Sequence, residues 1–136
     1  VKEPSVTRVQ YLSEEFFQEF EKRAEVLPER PQINVTAQYV VKDVPDLGEV
    51  TYHLEFLSGR IARAALGSAE NPDFTVTMGH KNAVKIQQAK LSPPVAFATG
   101  RVRATGNLGK LMKMLPVLQS AEYQTVFKQM REITDY

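Results

Sequence analysis

The chain has no cysteine, no tryptophan and only two histidines. Without cysteine there is neither a disulfide framework nor a thiolate metal site, which suits a reducing compartment. The Asn34-Val35-Thr36 sequon is then incidental. The histidines, His53 and His80, stand in no HxxxH or HExxH spacing, so no metal site is expected. No run of eighteen apolar residues exists, and the N-terminal VKEPSVTRVQ lacks the apolar core of a signal peptide. Neither a membrane span nor secretion is therefore expected, and a cytoplasmic location is. Also missing are a GxSxG elbow, a Walker A loop and a GxGxxG fingerprint; the cluster Gly106-Asn107-Leu108-Gly109 is too short to cradle a phosphate. With no nucleophile, acid–base pair or metal set in view, no catalytic residue and no cofactor are expected, and the protein is not read as an enzyme.

Acidic side chains are absent from one long stretch. Residues 74–121 carry seven basic and no acidic side chains, whereas residues 1–73 carry eight basic and thirteen acidic ones. Such asymmetry suits an anionic partner, and equally a solvated face that complements the acidic half. Nucleic acid is not the expected partner. The pI is only about 8.1, and no aromatic residue is interleaved with Arg101, Arg103, Lys110 and Lys113 on the polar side.

What is present is a length of 136 residues with 43% of them hydrophobic, enough for one core, so a single domain over residues 1–136 is expected. Residues 1–12 have no clear period and read as an extended lead-in. Ser13 is a candidate N-cap, followed by Glu14 and Glu15 in the first turn and a stripe of Phe16, Phe17, Phe20, Ala24 and Leu27 at helical spacing. Pro28 and Pro31 stop that helix. Alternation of period two predicts strands over 33–41 and 49–56 joined by a turn as a hairpin, with His53 on the outer, wet face of the second. A short Ala-rich strand over 61–66, a loop over 67–72 and a strand over 74–78 follow. A helix over 82–90 comes next, then a break and short turn at Pro93 to Ala98. A fifth strand has Val102 and Ala104 on one side and Arg101, Arg103 and Thr105 on the other.

Gly106 and Asn107 end this strand and cap a helix expected to stop at Leu115, because Pro116 lacks the N–H that an interior position must donate. Ser120 caps a final helix whose inner stripe is Tyr123, Val126, Phe127, Met130 and Ile133. The predicted fold class is α+β: a five-stranded, largely antiparallel sheet with helices packed on one face. Patterning alone leaves open whether the apolar side chains between the layers fill a solid core or line a pocket.

One stretch narrows this. The succession Pro93, Ala96-Phe97, Gly100-Arg101-Val102-Arg103, Thr105-Gly106-Asn107 and Lys113, preceded by Phe74-Thr75-Val76-Thr77-Met78, resembles the sterol carrier protein 2 family, the sterol-transfer domain of intracellular lipid carriers. The match runs without a gap from Thr75 to Met114; outside it only the layout is similar. The resemblance implies an apolar cavity between sheet and helices and non-enzymatic binding and transfer of a lipid: a fatty acyl chain, an acyl-CoA, a phospholipid or a sterol-like ligand. The cavity residues expected on that basis are Phe20, Tyr52, Leu54, Phe56, Met78, Phe97, Val102, Ala104, Leu108, Met112, Leu115, Leu118 and Phe127. Arg101, Arg103, Lys110 and Lys113 are the candidates to meet an anionic head group or, transiently, an anionic membrane surface.

Burial of one methylene is worth about 0.8 kcal/mol, so a sixteen-carbon chain offers on the order of 12 kcal/mol before ordering costs, without any specific polar contact. The alternative is a sterol-carrier-like fold that serves as an oligomerisation or docking module of a larger lipid-metabolising system, a homodimer being one such arrangement. The C-terminal Thr134-Asp135-Tyr136 is not the SKL-type peroxisomal tripeptide, and a start at Val1 suits a piece of a longer chain.

Overall fold

The computed structural model describes residues 8–136; residues 1–7, most of the expected lead-in, lie outside the described residues. In chain order the elements are β1 (Val9–Gln10), α1 (Glu14–Arg23) with a 3-10 turn (Ala24–Val26), β2 (Val35–Val44), β3 (Gly48–Leu57), β4 (Arg60–Leu66), β5 (Phe74–Gly79), α2 (His80–Gln87), α3 (Pro93–Ala98), β6 (Val102–Gly106), α4 (Leu108–Leu118), α5 (Ala121–Ile133) and β7 (Thr134–Asp135). The main sheet has five strands in the order β4-β3-β2-β5-β6. All its neighbours are antiparallel except β2 and β5, which run parallel. A parallel pair needs a crossover, and here the chain returns over the outer face. The crossover is pinned there by the Ala69 N–H donating to Gln38 Oε1 (2.9 Å) and by His53 Nδ1–H donating to the Gly67 carbonyl (2.9 Å). His53 is consequently buried, at 6% exposure, and not on a wet face. Alternation reports which side of a strand a residue takes, not whether a loop later covers it.

Helix caps follow the local chemistry. Ser13 Oγ accepts from the Phe16 N–H (3.2 Å), Asn107 Oδ1 from the Lys110 N–H (3.1 Å) and Ser120 Oγ from the Tyr123 N–H (3.3 Å), each satisfying a donor that the first turn leaves free. Several boundaries differ from expectation: β2 runs over Val35–Val44 and not 33–41, and α2 ends at Gln87 and not at residue 90. Pro93 and Pro94 do not break the backbone but open α3, because the first helical positions need no N–H to donate. α2 starts two residues early, at His80. α4 continues through Pro116 to Leu118: the bond lost is the one to the Met112 carbonyl, and both residues are exposed, so the loss does not bury an unpaired acceptor. The parallel pairing of β1 with β7, which ties Val9 to Thr134, has no counterpart in the pattern, since two residues are too few to show a period.

Asp73 joins three segments at the foot of β5. Its carboxylate accepts from the Thr36 N–H of β2 (2.7 Å) and from Lys110 Nζ of α4 (3.0 Å), while its carbonyl accepts from the Asn107 N–H (2.7 Å). Desolvation works to raise the Asp73 pKa, but the Thr36 N–H and the Lys110 ammonium outweigh it and hold the group below its ordinary value. A depressed folded pKa means stability that is present above the unfolded value and lost as pH falls through the folded one. Asp73→Asn is expected to cost about 1–2 kcal/mol at neutral pH, with the gap to wild type closing as the pH falls through that range in a denaturation series. A gap that stays constant into acid would show that the charge contributes nothing.

Candidate functional site

The inner faces of β2, β3, β5 and β6 meet α1, α2, α3, α4 and α5 around a cavity of about 80 Å³. The sheet supplies Tyr39, Tyr52, Leu54, Val76, Met78 and Val102; the helices supply Phe16, Phe17, Phe20, Ala83, Ile86, Gln87, Pro93, Phe97, Leu111, Leu118, Tyr123 and Phe127, and Tyr11 closes one side. Aromatic rings form much of the wall. Tyr39 and Tyr52, paired across β2 and β3, stack at 4.9 Å; Phe17 lies 4.8 Å from Tyr52; and Tyr123 meets Phe127 edge-on at 4.7 Å. Among the described residues, no carboxylate, ammonium, guanidinium or imidazole is on the lining. Its polar groups are the tyrosine hydroxyls and the Gln87 amide. Burial pushes the Tyr39 phenol up to about 12 and those of Tyr52 and Tyr123 well above their ordinary value, so at neutral pH each keeps its proton.

A more open groove of about 360 Å³ lies against this cavity and shares Ile86, Pro93 and Phe127 with it; Ala89, Leu91, Ser92, Gln119, Gln124 and Arg131 complete its wall. Among the described residues, Arg131 is the one cation on either lining, partly buried and donating to the Gln87 carbonyl at 3.4 Å.

Of the residues expected to surround a cavity, the structure brings together Phe20, Tyr52, Leu54, Met78, Phe97, Val102, Leu118 and Phe127. It places the others elsewhere. Phe56 is 1% exposed in solid packing near Tyr123. Ala104 and Leu115 are half-buried and outside the lining, while Leu108 and Met112 are 51% and 63% exposed. The correction has a physical cause: α4 is apolar on nearly every side, with Lys110 and Lys113 its only polar side chains, so spacing does not say which stripe faces inward. The ion pair of Lys110 with Asp73 sets the rotation, and Leu111, Met114 and Val117 become the buried stripe.

The four candidate head-group cations line neither space. Arg101 and Arg103 are exposed and alternate with the inward Val102, which puts them on the opposite face of the sheet; Lys113 is exposed on α4; Lys110 is occupied by Asp73. The lining also holds Tyr11, Phe16, Phe17, Tyr39, Val76, Ala83, Ile86, Gln87, Pro93, Leu111 and Tyr123, which the expected set does not contain, and the groove adds Arg131; alternation and helical stripes turn a residue inward without saying whether it meets a space or solid packing.

Fold and lining together define a class of small α+β domains that wrap a sheet and its helices around an uncharged apolar space. The family model of the SCP-2 sterol transfer family matches residues 17–119, and the chain belongs to that family. It is 30% identical over 100 residues to sterol carrier protein 2 of Homo sapiens, an alignment covering 72% of this chain and 18% of that protein. It thus spans about a fifth of the length of the curated relatives it matches. Among solved structures it is similar to a crystal structure of sterol carrier protein 2, with a TM-score of 0.64 at 18% identity over 90% of this chain and 98% of that one. It is also similar to the solution structure of a palmitated sterol carrier protein 2-like protein from Aedes aegypti, with a TM-score of 0.61 at 18% identity over 76% and 90% of the two chains. Among the described residues, no helix is long and apolar enough to cross a membrane.

Proposed function

We propose that residues 1–136 form one non-enzymatic lipid carrier domain that works in the cytoplasm. It takes the apolar part of a fatty acyl chain, acyl-CoA, phospholipid or sterol-like molecule between sheet and helices. The observation that carries this reading is an apolar space between sheet and helices with no charged wall residue among the described residues, in a chain of this family. The size of the space says how it is used. A cavity of 80 Å³ costs about 2 kcal/mol if unfilled, at roughly 24 cal/mol per Å³, whereas about 400 Å³ would cost on the order of 10 kcal/mol, the whole stability of a small domain. The inner cavity is therefore kept small, and a long chain enters as Ile86, Pro93 and Phe127, the wall shared with the groove, move aside.

Contact with a donor membrane belongs to the same proposal. The outward side of α4 presents Leu108, Met112 and Lys113, with no acidic residue anywhere in that helix, a combination that suits an anionic bilayer surface. The α1 side carries Glu14, Glu15, Glu19, Glu21 and Glu25 and would be repelled.

The test is to incubate the protein with neutral and with anionic vesicles, re-isolate it and record its mass under native conditions. One lipid per chain is the expected result, acquired faster from anionic vesicles and more slowly as salt rises, because the Debye length shortens from about 10 Å at 0.1 M to about 3 Å at 1 M. A protein that never carries lipid mass would end the carrier reading; equal uptake from both vesicle types at every salt concentration would end the membrane part alone.

A further inference from the structure

Two residues of the cavity lining carry a buried polar atom without a hydrogen-bond partner, Gln87 at Oε1 and Tyr123 at its hydroxyl. Tyr123 is fully buried, its ring held by Phe20, Phe56 and Phe127, and its hydroxyl has no hydrogen-bond partner. A phenylalanine would fill that space without leaving a donor unmet, a defect that costs about 1–3 kcal/mol in a protein interior, where almost all buried polar groups are paired. The hydroxyl also has company. Tyr11, Tyr39 and Tyr52 line the same cavity, and the rings of Tyr39 and Tyr52 stack at 4.9 Å. Among the described residues these tyrosines are the only titratable side chains on the lining, and Arg131 is the cation of the adjoining groove.

We propose that the Tyr123 hydroxyl is the recognition point for a small uncharged head group, the hydroxyl of a fatty alcohol or sterol or the protonated carboxyl of a fatty acid. The lipid enters head first and its apolar body points back toward the groove. The inference rests on the carrier reading above and narrows its ligand class. An ionised carboxylate or a phosphate is disfavoured at this end because nothing there offsets its lost hydration. A hydroxyl, in contrast, is donor and acceptor at once and meets a wall of phenols on equal terms.

The experiment measures binding of 1-dodecanol, its near-isostere tridecane and dodecanoic acid to the full chain, for wild type and Tyr123→Phe, alongside thermal unfolding. Removal of the hydroxyl is expected to weaken dodecanol about tenfold relative to tridecane, the value of one buried hydrogen bond, and to leave the melting temperature unchanged or higher. Wild-type affinity for dodecanoic acid should fall as pH rises through the acid's own titration, while that for dodecanol stays flat.

An unchanged dodecanol-to-tridecane ratio in Tyr123→Phe overturns the proposal. So does a marked loss of melting temperature, which would show that the hydroxyl is already held within the fold. Tighter binding of the ionised acid also overturns it, since the head group would then sit in the groove beside Arg131. If neither wild type nor variant binds any of the three compounds, the carrier reading falls with it.

Discussion

Replacement of Gly106 by alanine is expected to lower the unfolding free energy by about 3–5 kcal/mol, a large part of the total for a domain of this size. Two effects add. Gly106 has φ +102°, a conformation that costs a residue with a side chain about 1–3 kcal/mol. A Cβ there would also stand 2.7 Å from the Asp73 carbonyl oxygen and 2.9 Å from Phe74 Cα, both backbone atoms that move only if β5 and β6 separate. The position pairs with Phe74 in the sheet, and the next residue, Asn107, caps α4, so the damage spreads to the Asp73 junction. Gly100 is the control: its φ is +74° but no atom lies within 4 Å of an added Cβ, so Gly100→Ala should cost only the conformational part, about 1–2 kcal/mol. Chemical denaturation of both variants decides the matter, and equal losses would remove the steric argument.

Gly106 also shows what local chemistry makes legible. A glycine, an asparagine and an apolar helical spacing in succession describe a strand end, a cap and a helix start, and the structure has each where the residue types require it. The five strands were readable for the same reason: period-two alternation survives whatever the strands later pack against. The parallel pairing of β2 with β5 and the covering of His53 were not, because both depend on where a loop without a periodic pattern crosses the sheet. The lining was legible in proportion to how one-sided its elements are. Tyr52, Leu54, Met78 and Val102 come from strands with one apolar face, and Phe20 and Phe127 from helices with a single apolar stripe. Leu108 and Met112 come from a helix with two, where an ion pair between residues 37 positions apart selects the inward one. The candidate head-group cations were drawn from the charge asymmetry of residues 74–121, which carries no information on distance to the cavity; the alternation that turns Val102 inward sends Arg101 and Arg103 to the far face.

The volume of the cavity is beyond any pattern, and it supports a second prediction of large effect. Ala83 is 2% exposed and lines the inner space from α2. Ala83→Leu adds three carbons, each about the size of a water at roughly 30 Å³, which together match the 80 Å³ available. Burial of those carbons gains about 2.4 kcal/mol, and closure of the void recovers about 2 kcal/mol, against about 1–3 kcal/mol for imperfect fit. The variant should therefore be as stable as wild type or slightly more so. A ligand, however, loses the room for about three of its own methylenes, worth about 2.4 kcal/mol, or roughly fifty-fold in affinity. Binding of a dodecyl compound measured beside thermal unfolding should show this split, with affinity falling sharply while the melting temperature holds. The opposite split, a loss of several kcal/mol of stability with lipid affinity intact, would mean that the space is ordinary packing slack and that the ligand's inner end lies somewhere other than among Ala83, Tyr52 and Tyr123.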